Sequence, residues 1–136
     1  NLQQNVVFLG YVKNPEIIFK QADIFILTSK YESFGLALLE SMACGTAVIS
    51  YNVGGVSEVI TQGEVGYLVE YRDIDDFVNK CIELIMNPKQ LGDMKKNAYI
   101  QSRKRFGKKD IIKKYLDIYT TILSGEFIPG LINVPI

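Results

Sequence analysis

Histidine is absent from the 136 residues, and cysteine occurs only twice. The lack of histidine excludes hydrolases that pair serine or cysteine with a histidine base, and it removes the commonest metal ligand. Cys44 and Cys81 stand 37 residues apart and belong to no paired-cysteine motif, so neither a disulfide framework nor a zinc site is predicted. A reduced, cytoplasmic environment fits this composition best.

Long apolar runs are also lacking: none approaches the roughly eighteen residues that a membrane span needs. The first residues, Asn1–Gln4, do not form the charged-then-apolar pattern of a signal peptide. We therefore expect a soluble protein, or one that touches a membrane only peripherally. Apolar residues make up 48% of the chain, which is enough for one compact domain.

Net charge is zero, because 15 basic side chains balance 15 acidic ones. This balance argues against a nucleic-acid partner. The two halves differ, however: residues 1–88 hold 5 basic and 11 acidic side chains, while residues 89–136 hold 10 basic and 4 acidic ones. The second half therefore carries a net charge of +6, and the first half carries −6.

Four short apolar runs, each bounded by turn-forming residues, predict β-strands. Helical periodicity fills the intervals between them and continues after the last run. The runs are continuous rather than alternating, which is typical of a parallel sheet covered on both faces. The predicted strands are Val6–Leu9, Ile24–Leu27, Ala47–Ile49 and Tyr67–Val69, and the predicted helices are Pro15–Gln21, Gly35–Ala43, Val56–Thr61, Ile74–Met86, Pro88–Lys104 and Lys108–Leu123.

The predicted fold class is α/β: a Rossmann-like parallel sheet of about four strands with flanking helices and a helical C-terminal cap. One domain covers residues 1–124, and residues 125–136 form an extended tail. Ligands of such sheets bind beyond the carboxyl ends of the strands. Three segments should meet there: Gly10–Asn14, Thr28–Leu36 and Tyr51–Val56.

The segment Thr28–Gly45 reads as strand end, loop, helix and glycine stop. A helix that begins near Gly35 leaves its first N–H groups without partners, and these favour an anion such as a phosphate. Glu32 and Glu40 flank this anion site, so their carboxylates must face something other than the phosphate. Sugar hydroxyls are suitable partners, because a carboxylate accepts several short hydrogen bonds from them.

Seven residues separate Glu32 from Glu40. This pair resembles the paired-glutamate signature of glycosyltransferase family 4, also called group 1. These are retaining enzymes with two Rossmann-like domains, the GT-B architecture. The Glu-Ser-Phe-Gly-Leu phrase also resembles enzymes that join N-acetylglucosamine to malate or inositol. The matching segments are Val7–Gly10, Ala22–Ser29, Glu32–Leu36, Leu39–Gly45, Val48–Ser50, Gly54-Gly55 with Glu58, and Gly66–Val69.

The resemblance implies a C-terminal, donor-binding domain for a nucleoside diphosphate sugar, with a UDP-sugar favoured and without a cofactor or metal. Glu32, the catalytic residue, would contact the donor sugar, and Glu40 would hold the ribose hydroxyls. Transfer would be of the hexosyl or N-acetylhexosaminyl type, with helix dipole and basic side chains stabilising the leaving diphosphate. The other donor-binding residues would be Ser33, Phe34, Gly35, Leu36, Gly10 and Val12.

Within that set, Phe34, Gly35 and Leu36 would act through their backbone N–H groups on sugar and phosphate. The loop from Gly10 to Val12 would lie against the base. All of these assignments are carried over from the family motif to the matching positions of this chain.

The 136 residues do not include the segments with which this family's C-terminal domain usually begins. The usual domain begins with two strands and with glycine-arginine and lysine-glycine phrases that neutralise the diphosphate; the acceptor-binding N-terminal domain comes before these. Without those two strands, Val6–Leu9 and Ile24–Leu27 either pair directly or leave an edge that recruits another chain as a dimer. We expect the 136 residues alone to transfer no sugar. The alternative function is a stand-alone or truncated nucleotide-sugar-binding module without catalysis.

Three further features have two interpretations each. Asp73-Ile74-Asp75 resembles a metal-binding motif, but a helix cap is favoured. Gly54-Gly55 fits a phosphate loop or a tight turn that packs helix on sheet. The basic run from Arg103 to Lys114 fits contact with an anionic membrane, at the inner face of the cell membrane, or a solvated helix face, which is favoured.

A dinucleotide-binding dehydrogenase is disfavoured as a further alternative function, because no Gly-x-Gly-x-x-Gly follows the first strand.

Overall fold

The structure, a computed structural model, describes residues 2–125. Three parallel strands form the sheet in this part of the chain. They are β1 (Ile24–Leu27), β2 (Ala47–Tyr51) and β3 (Gly66–Val69), side by side in the order β1-β2-β3. Ile49 of β2 lies opposite Ile26 of β1 and Tyr67 of β3. The predicted α/β class and the parallel sheet are confirmed.

Helices alternate with the strands as far as β3, and three longer helices follow. Each predicted helix is present, and two are shorter than predicted: only one turn forms between Pro15 and Gln21, and the helix that begins at Val56 ends at Val59 instead of Thr61. The helices are α1 (Glu16–Phe19), α2 (Leu36–Ala43), α3 (Val56–Val59), α4 (Ile74–Met86), α5 (Pro88–Phe106) and α6 (Lys108–Leu123).

The central strand β2 is buried on both faces. Its successive side chains point to opposite sides of the sheet, so Val48 packs with Leu38 and Met42 of α2, while Ile49 packs with Leu84 of α4. All of these side chains are fully buried. Each stabilises the fold by about 1.5–3 kcal/mol, and the two-sided burial explains why the apolar run of β2 is continuous.

Helix α5 joins the two sides of the sheet. Its Ala98 belongs to the cluster around α2, and its Met94 belongs to the cluster around α4. At the sheet edge, Lys95 Nζ forms an ion pair with Asp23 Oδ1 at 2.9 Å. The end of α5 reaches the loop after β1, where the Phe106 ring meets the Phe34 ring.

The predicted strand over Val6–Leu9 is wrong. This segment has no strand conformation and lies exposed, with Phe8 94% accessible. It does not pair with β1, whose outer edge stays open among the described residues, and Ile26 of that strand is 47% exposed. An apolar run becomes a strand only beside a hydrogen-bonding neighbour, and the structure provides none for residues 6–9.

Helix α6 follows a break at Gly107, whose backbone is extended. None of its residues is buried. Large apolar side chains of this helix, among them Tyr115, Leu116 and Tyr119, are exposed. No helix among residues 2–125 is long and apolar enough to cross a membrane.

The proposed tail over 125–136 lies outside the described residues, apart from Gly125, which ends a turn after α6.

Candidate functional site

The loops that follow β1 and β2 meet at the carboxyl edge of the sheet. The Gly55 N–H donates to the Glu32 carbonyl at 3.1 Å. The approach leaves no room for side chains: a Cβ on Gly54 would lie 1.8 Å from the Glu32 carbonyl oxygen, and one on Gly55 would lie 2.2 Å from that of Ser33. Gly54-Gly55 therefore forms a tight turn that seats the loop from Glu32 to Gly35, in agreement with the packing interpretation of the two glycines.

The amino terminus of α2 opens at this edge. Gly35 caps the helix with φ +85° and ψ +53°, a left-handed conformation that suits glycine. Its carbonyl accepts the N–H groups of Leu38 and Leu39. Among residues 2–125, the N–H groups of Leu36 and Ala37 have no hydrogen-bond partner, so the positive end of the helix dipole is available to an anion.

Ser33, Phe34 and Leu36 point in different directions. Ser33 is exposed, and the Leu36 side chain is 65% accessible beside the helix start. The Phe34 ring turns inward, packs on the core cluster of α2 and meets the ring of Phe106 edge-on, with 5.7 Å between ring centroids. Phe34 can therefore offer a ligand its backbone but not its ring.

Glu32 and Glu40 lie on either side of these N–H groups along the chain. Glu32 is half-buried in the loop, and Glu40 is exposed in the second turn of α2. Neither carboxylate forms a hydrogen bond or an ion pair with another described residue. Both are therefore free to accept hydrogen bonds from a polyhydroxyl ligand.

A cavity of about 370 Å³ adjoins Glu40. The side chains around it come from α1 and α2, and include Pro15, Glu16, Phe19 and Ala43. Sequence reasoning missed this contribution of α1; the acidic Glu16 at the start of a predicted helix was the available signal. The cavity gives the Glu40 end of the site an apolar wall and a second carboxylate.

Gly10 and Val12 are not brought into this cavity. Gly10 is exposed with φ +61°, and Val12 is half-buried. Neither is among the residues that line the space beside Glu40. The structure thus joins the loops after β1 and β2, while the contact predicted for the Gly10–Asn14 segment is not observed.

The two loops that form the site carry little positive charge. Lys30 is the one basic residue in segments 28–36 and 51–56. Its ammonium lies over the Tyr31 ring, 5.0 Å from the centroid. The helix dipole and Lys30 are therefore the positive groups that these segments can offer a diphosphate.

Asp73 is a helix cap. Its Oδ1 accepts the Asp76 N–H at 3.0 Å at the start of α4, as the favoured interpretation predicted. No group of three or more acidic or cysteine side chains within residues 2–125 is placed to hold a metal ion.

The groups with clearly shifted pKa values lie away from this edge. Burial, followed by the hydrogen bond to Glu83, raises the pKa of Tyr67 to about 12. Hydrogen bonds from Tyr67 and Lys80 lower the pKa of Glu83. Gln90 Nε2 donates to the Tyr67 hydroxyl at 2.7 Å. This polar cluster joins β3, α4 and α5, and we assign it a structural role.

Residues 1–101 match the model of the family described as glycosyl transferases group 1. The chain belongs to this family. N-acetyl-alpha-D-glucosaminyl L-malate synthase of Bacillus anthracis is 35% identical to this group 1 chain over 126 residues, which are 93% of the chain and 33% of that protein. The sequence comparison thus finds the expected similarity to an enzyme that joins N-acetylglucosamine to malate.

Two solved structures resemble the group 1 chain closely. Sucrose-phosphate synthase from Thermosynechococcus elongatus has a TM-score of 0.84 at 27% identity, covering 93% of this chain and 32% of that one. HepE of Anabaena, in complex with UDP, has a TM-score of 0.77 at 26% identity, covering 88% and 33%. These neighbours are GT-B glycosyltransferases, so the expected architecture is confirmed. The chain spans about a third of the length of the relatives it matches.

Proposed function

We propose that this chain is the donor-binding part of a retaining glycosyltransferase of family 4. The complete enzyme would move a sugar from a nucleoside diphosphate sugar to an acceptor. One observation carries the proposal: the open amino terminus of α2, with unpaired N–H groups at Leu36 and Ala37, lies between the free carboxylates of Glu32 and Glu40.

The order of these groups along the chain suits a nucleotide sugar. Glu32 would accept hydrogen bonds from the sugar, the N–H groups of α2 would bind the diphosphate, and Glu40 would hold the ribose. The cavity of about 370 Å³ beside Glu40 would take the nucleoside. UDP is the favoured nucleotide, and the UDP complex of the structural neighbour HepE supports this choice.

The chemistry proposed for this site is departure of the diphosphate with retention at the anomeric carbon. Negative charge develops on the leaving oxygen, and the dipole of α2 would stabilise it. Such a reaction depends on positioning and on charge stabilisation more than on a protein base. The absence of histidine is compatible with that mechanism.

Titration calorimetry with UDP-N-acetylglucosamine and UDP-glucose tests the site. We expect Glu32→Gln and Glu40→Gln each to weaken binding by at least about tenfold, because a hydrogen bond to a charged group contributes about 1.5–3 kcal/mol. Asp93→Asn is the matched control, since Asp93 is also an exposed helical acid but lies on α5. Unchanged affinity in both glutamine variants would discard the site assignment.

We also propose a cytoplasmic location for the protein. Two predictions about binding partners accompany the proposed function, one of a membrane and one of a second copy of the chain. The first is contact of the basic run from Arg103 to Lys114 with an anionic membrane. It is tested by sedimentation with phosphatidylglycerol and phosphatidylcholine vesicles at physiological salt; binding to the anionic vesicles alone would favour it over the solvated-face interpretation. Dimerisation through the open edge of β1 is tested by sedimentation equilibrium. The acceptor would bind a domain outside this chain.

A further inference from the structure

The ring of Phe106 touches the candidate site from behind. Its centroid lies 5.7 Å from that of Phe34, and the two planes are 78° apart, which is the favoured edge-to-face geometry. Phe106 is the last residue of α5. Phe34 stands in the loop between Glu32 and Gly35, so this contact links the end of a long helix to the centre of the site loop.

The loop from Glu32 to Gly35 has two supports in the structure. The Gly54-Gly55 turn holds its backbone on one side, through the bond from the Gly55 N–H to the Glu32 carbonyl. The Phe34 ring holds it from below, against Phe106 and the core. The loop contains no helix or strand of its own, so these supports set the direction of the Glu32 carboxylate and of the first N–H groups of α2.

Phe106 is itself fixed in place by its neighbour. The Arg105 guanidinium lies over the Phe106 ring, 5.0 Å from the centroid. Arg105 Nη2 also donates to the Glu58 carbonyl at 2.6 Å, near the end of α3. Since α3 begins at the Gly54-Gly55 turn, both supports of the loop belong to one connected set of contacts.

We propose that Phe106 is a positioning residue for the donor site: through the Phe34 ring it fixes the loop from Glu32 to Gly35 in the orientation that receives the sugar and diphosphate. The role in donor binding rests on the proposed function. The mechanical support of the loop does not, and it can be measured without a ligand.

Hydrogen exchange measures that support at one amide, the Gly55 N–H bonded to Glu32. We expect Phe106→Ala and Phe106→Leu to speed its exchange by about three- to tenfold, the range that an aromatic pair contributes, without a matching change at the amides of β2. Phe106→Tyr keeps the ring and should restore slow exchange. Tyr99→Ala is the control, because Tyr99 is an aromatic residue of α5, 44% exposed, and is in ring contact with Arg103.

Affinity for UDP-N-acetylglucosamine and UDP-glucose supplies the second readout. The alanine and leucine variants should bind more weakly than the tyrosine variant by a similar factor. Unchanged exchange at Gly55, equal acceleration throughout β2, or unchanged affinity despite faster exchange would each overturn the inference. If the unsubstituted chain bound neither donor, the proposed function would fail instead, and the exchange comparison would still decide whether Phe106 holds the loop.

Discussion

At the residue scale, the candidate site depends on two glycines, Gly54 and Gly55, whose lack of a side chain lets the backbones approach closely. The Glu32 carbonyl packs so closely on Gly54 that a Cβ there would stand 1.8 Å from the oxygen. Any larger residue must displace either the turn or the loop that holds Glu32. The glycine pair thus acts on the site through the backbone, without contributing a functional group.

Gly54→Ala is therefore expected to destabilise the fold more than an alanine at another left-handed glycine. Gly63 is the matched control: its φ is +74°, against +52° at Gly54, but it has open space around it. Gly63→Ala should cost about 1–2 kcal/mol through backbone strain alone, and Gly54→Ala about 1–3 kcal/mol more through the clash. Urea unfolding measures both; equal losses would contradict the steric account.

Tyr67 gives a prediction for pH dependence. Its pKa is raised from 10.0 to about 12, first by burial and then by Glu83, so the neutral phenol is favoured in the folded state. The resulting stabilisation is complete below pH 10 and is lost as the pH rises from there through about 12. Tyr67→Phe removes the titrating group, so the stability difference between the two proteins should shrink across this range.

Thermal unfolding of both proteins at pH 8, 9, 10 and 11 would measure that difference. At neutral pH, Tyr67→Phe should destabilise the fold by about 1 kcal/mol, since Glu83 and Gln90 each lose a hydrogen-bond partner. A difference that stayed constant with pH would show that the phenol does not titrate as described.

At the scale of elements, helix starts have two distinct functions in this chain. Helix α2 begins at Gly35 without a side-chain cap and leaves N–H groups unpaired at the sheet edge. Helix α4 begins at Asp73, whose carboxylate accepts the Asp76 N–H of the first turn. An uncapped start suits ligand binding, while a capped start stabilises the fold.

Asp73→Ala should accordingly cost about 1 kcal/mol of stability, the usual value of a lost cap. Asp75→Ala is the control, since Asp75 lies in the same first turn but does not cap it; it loses only a favourable interaction with the helix dipole, about 0.3–1 kcal/mol. Chemical denaturation compares the two. A larger loss at Asp75 would contradict the cap assignment.

Most helices and strands were predictable because their signals are local. These signals lie within a few residues of the boundaries they mark: Asp73 before α4, Pro88 at the start of α5, Gly45 after α2, and the apolar runs of β1, β2 and β3. Val6–Leu9 carries the same local signal and still forms no strand. Strand formation requires a partner, and a partner is a property of the tertiary structure.

At the scale of the whole molecule, charge is unevenly distributed around the site. The candidate site lies in the acidic half, residues 1–88, with a net charge of −6. The basic half, with +6, contributes α5 and α6. Lys30 is the single cation of the site loops, so a diphosphate bound there would lack the side-chain neutralisation expected in this family.

The isolated 136-residue chain is therefore expected to bind a donor without transferring its sugar. Incubation with UDP-N-acetylglucosamine or UDP-glucose and a coupled assay for released UDP would check this, with a full-length group 1 enzyme as the positive control. Release of UDP above the rate with the Glu32→Gln variant would contradict the prediction and would show that this third of a typical relative is catalytic by itself.

By itself, the sequence determined the α/β class, nearly all helices and strands, the cap at Asp73 and the motif that joins Glu32 and Glu40, because each of these depends on residues close together along the chain. Only the tertiary structure decided that residues 6–9 stay unpaired, that α1 walls the cavity beside Glu40, and that the Gly54-Gly55 turn and Phe106 support the Glu32 loop. Those contacts join residues more than twenty positions apart, and folding alone brings such residues within reach.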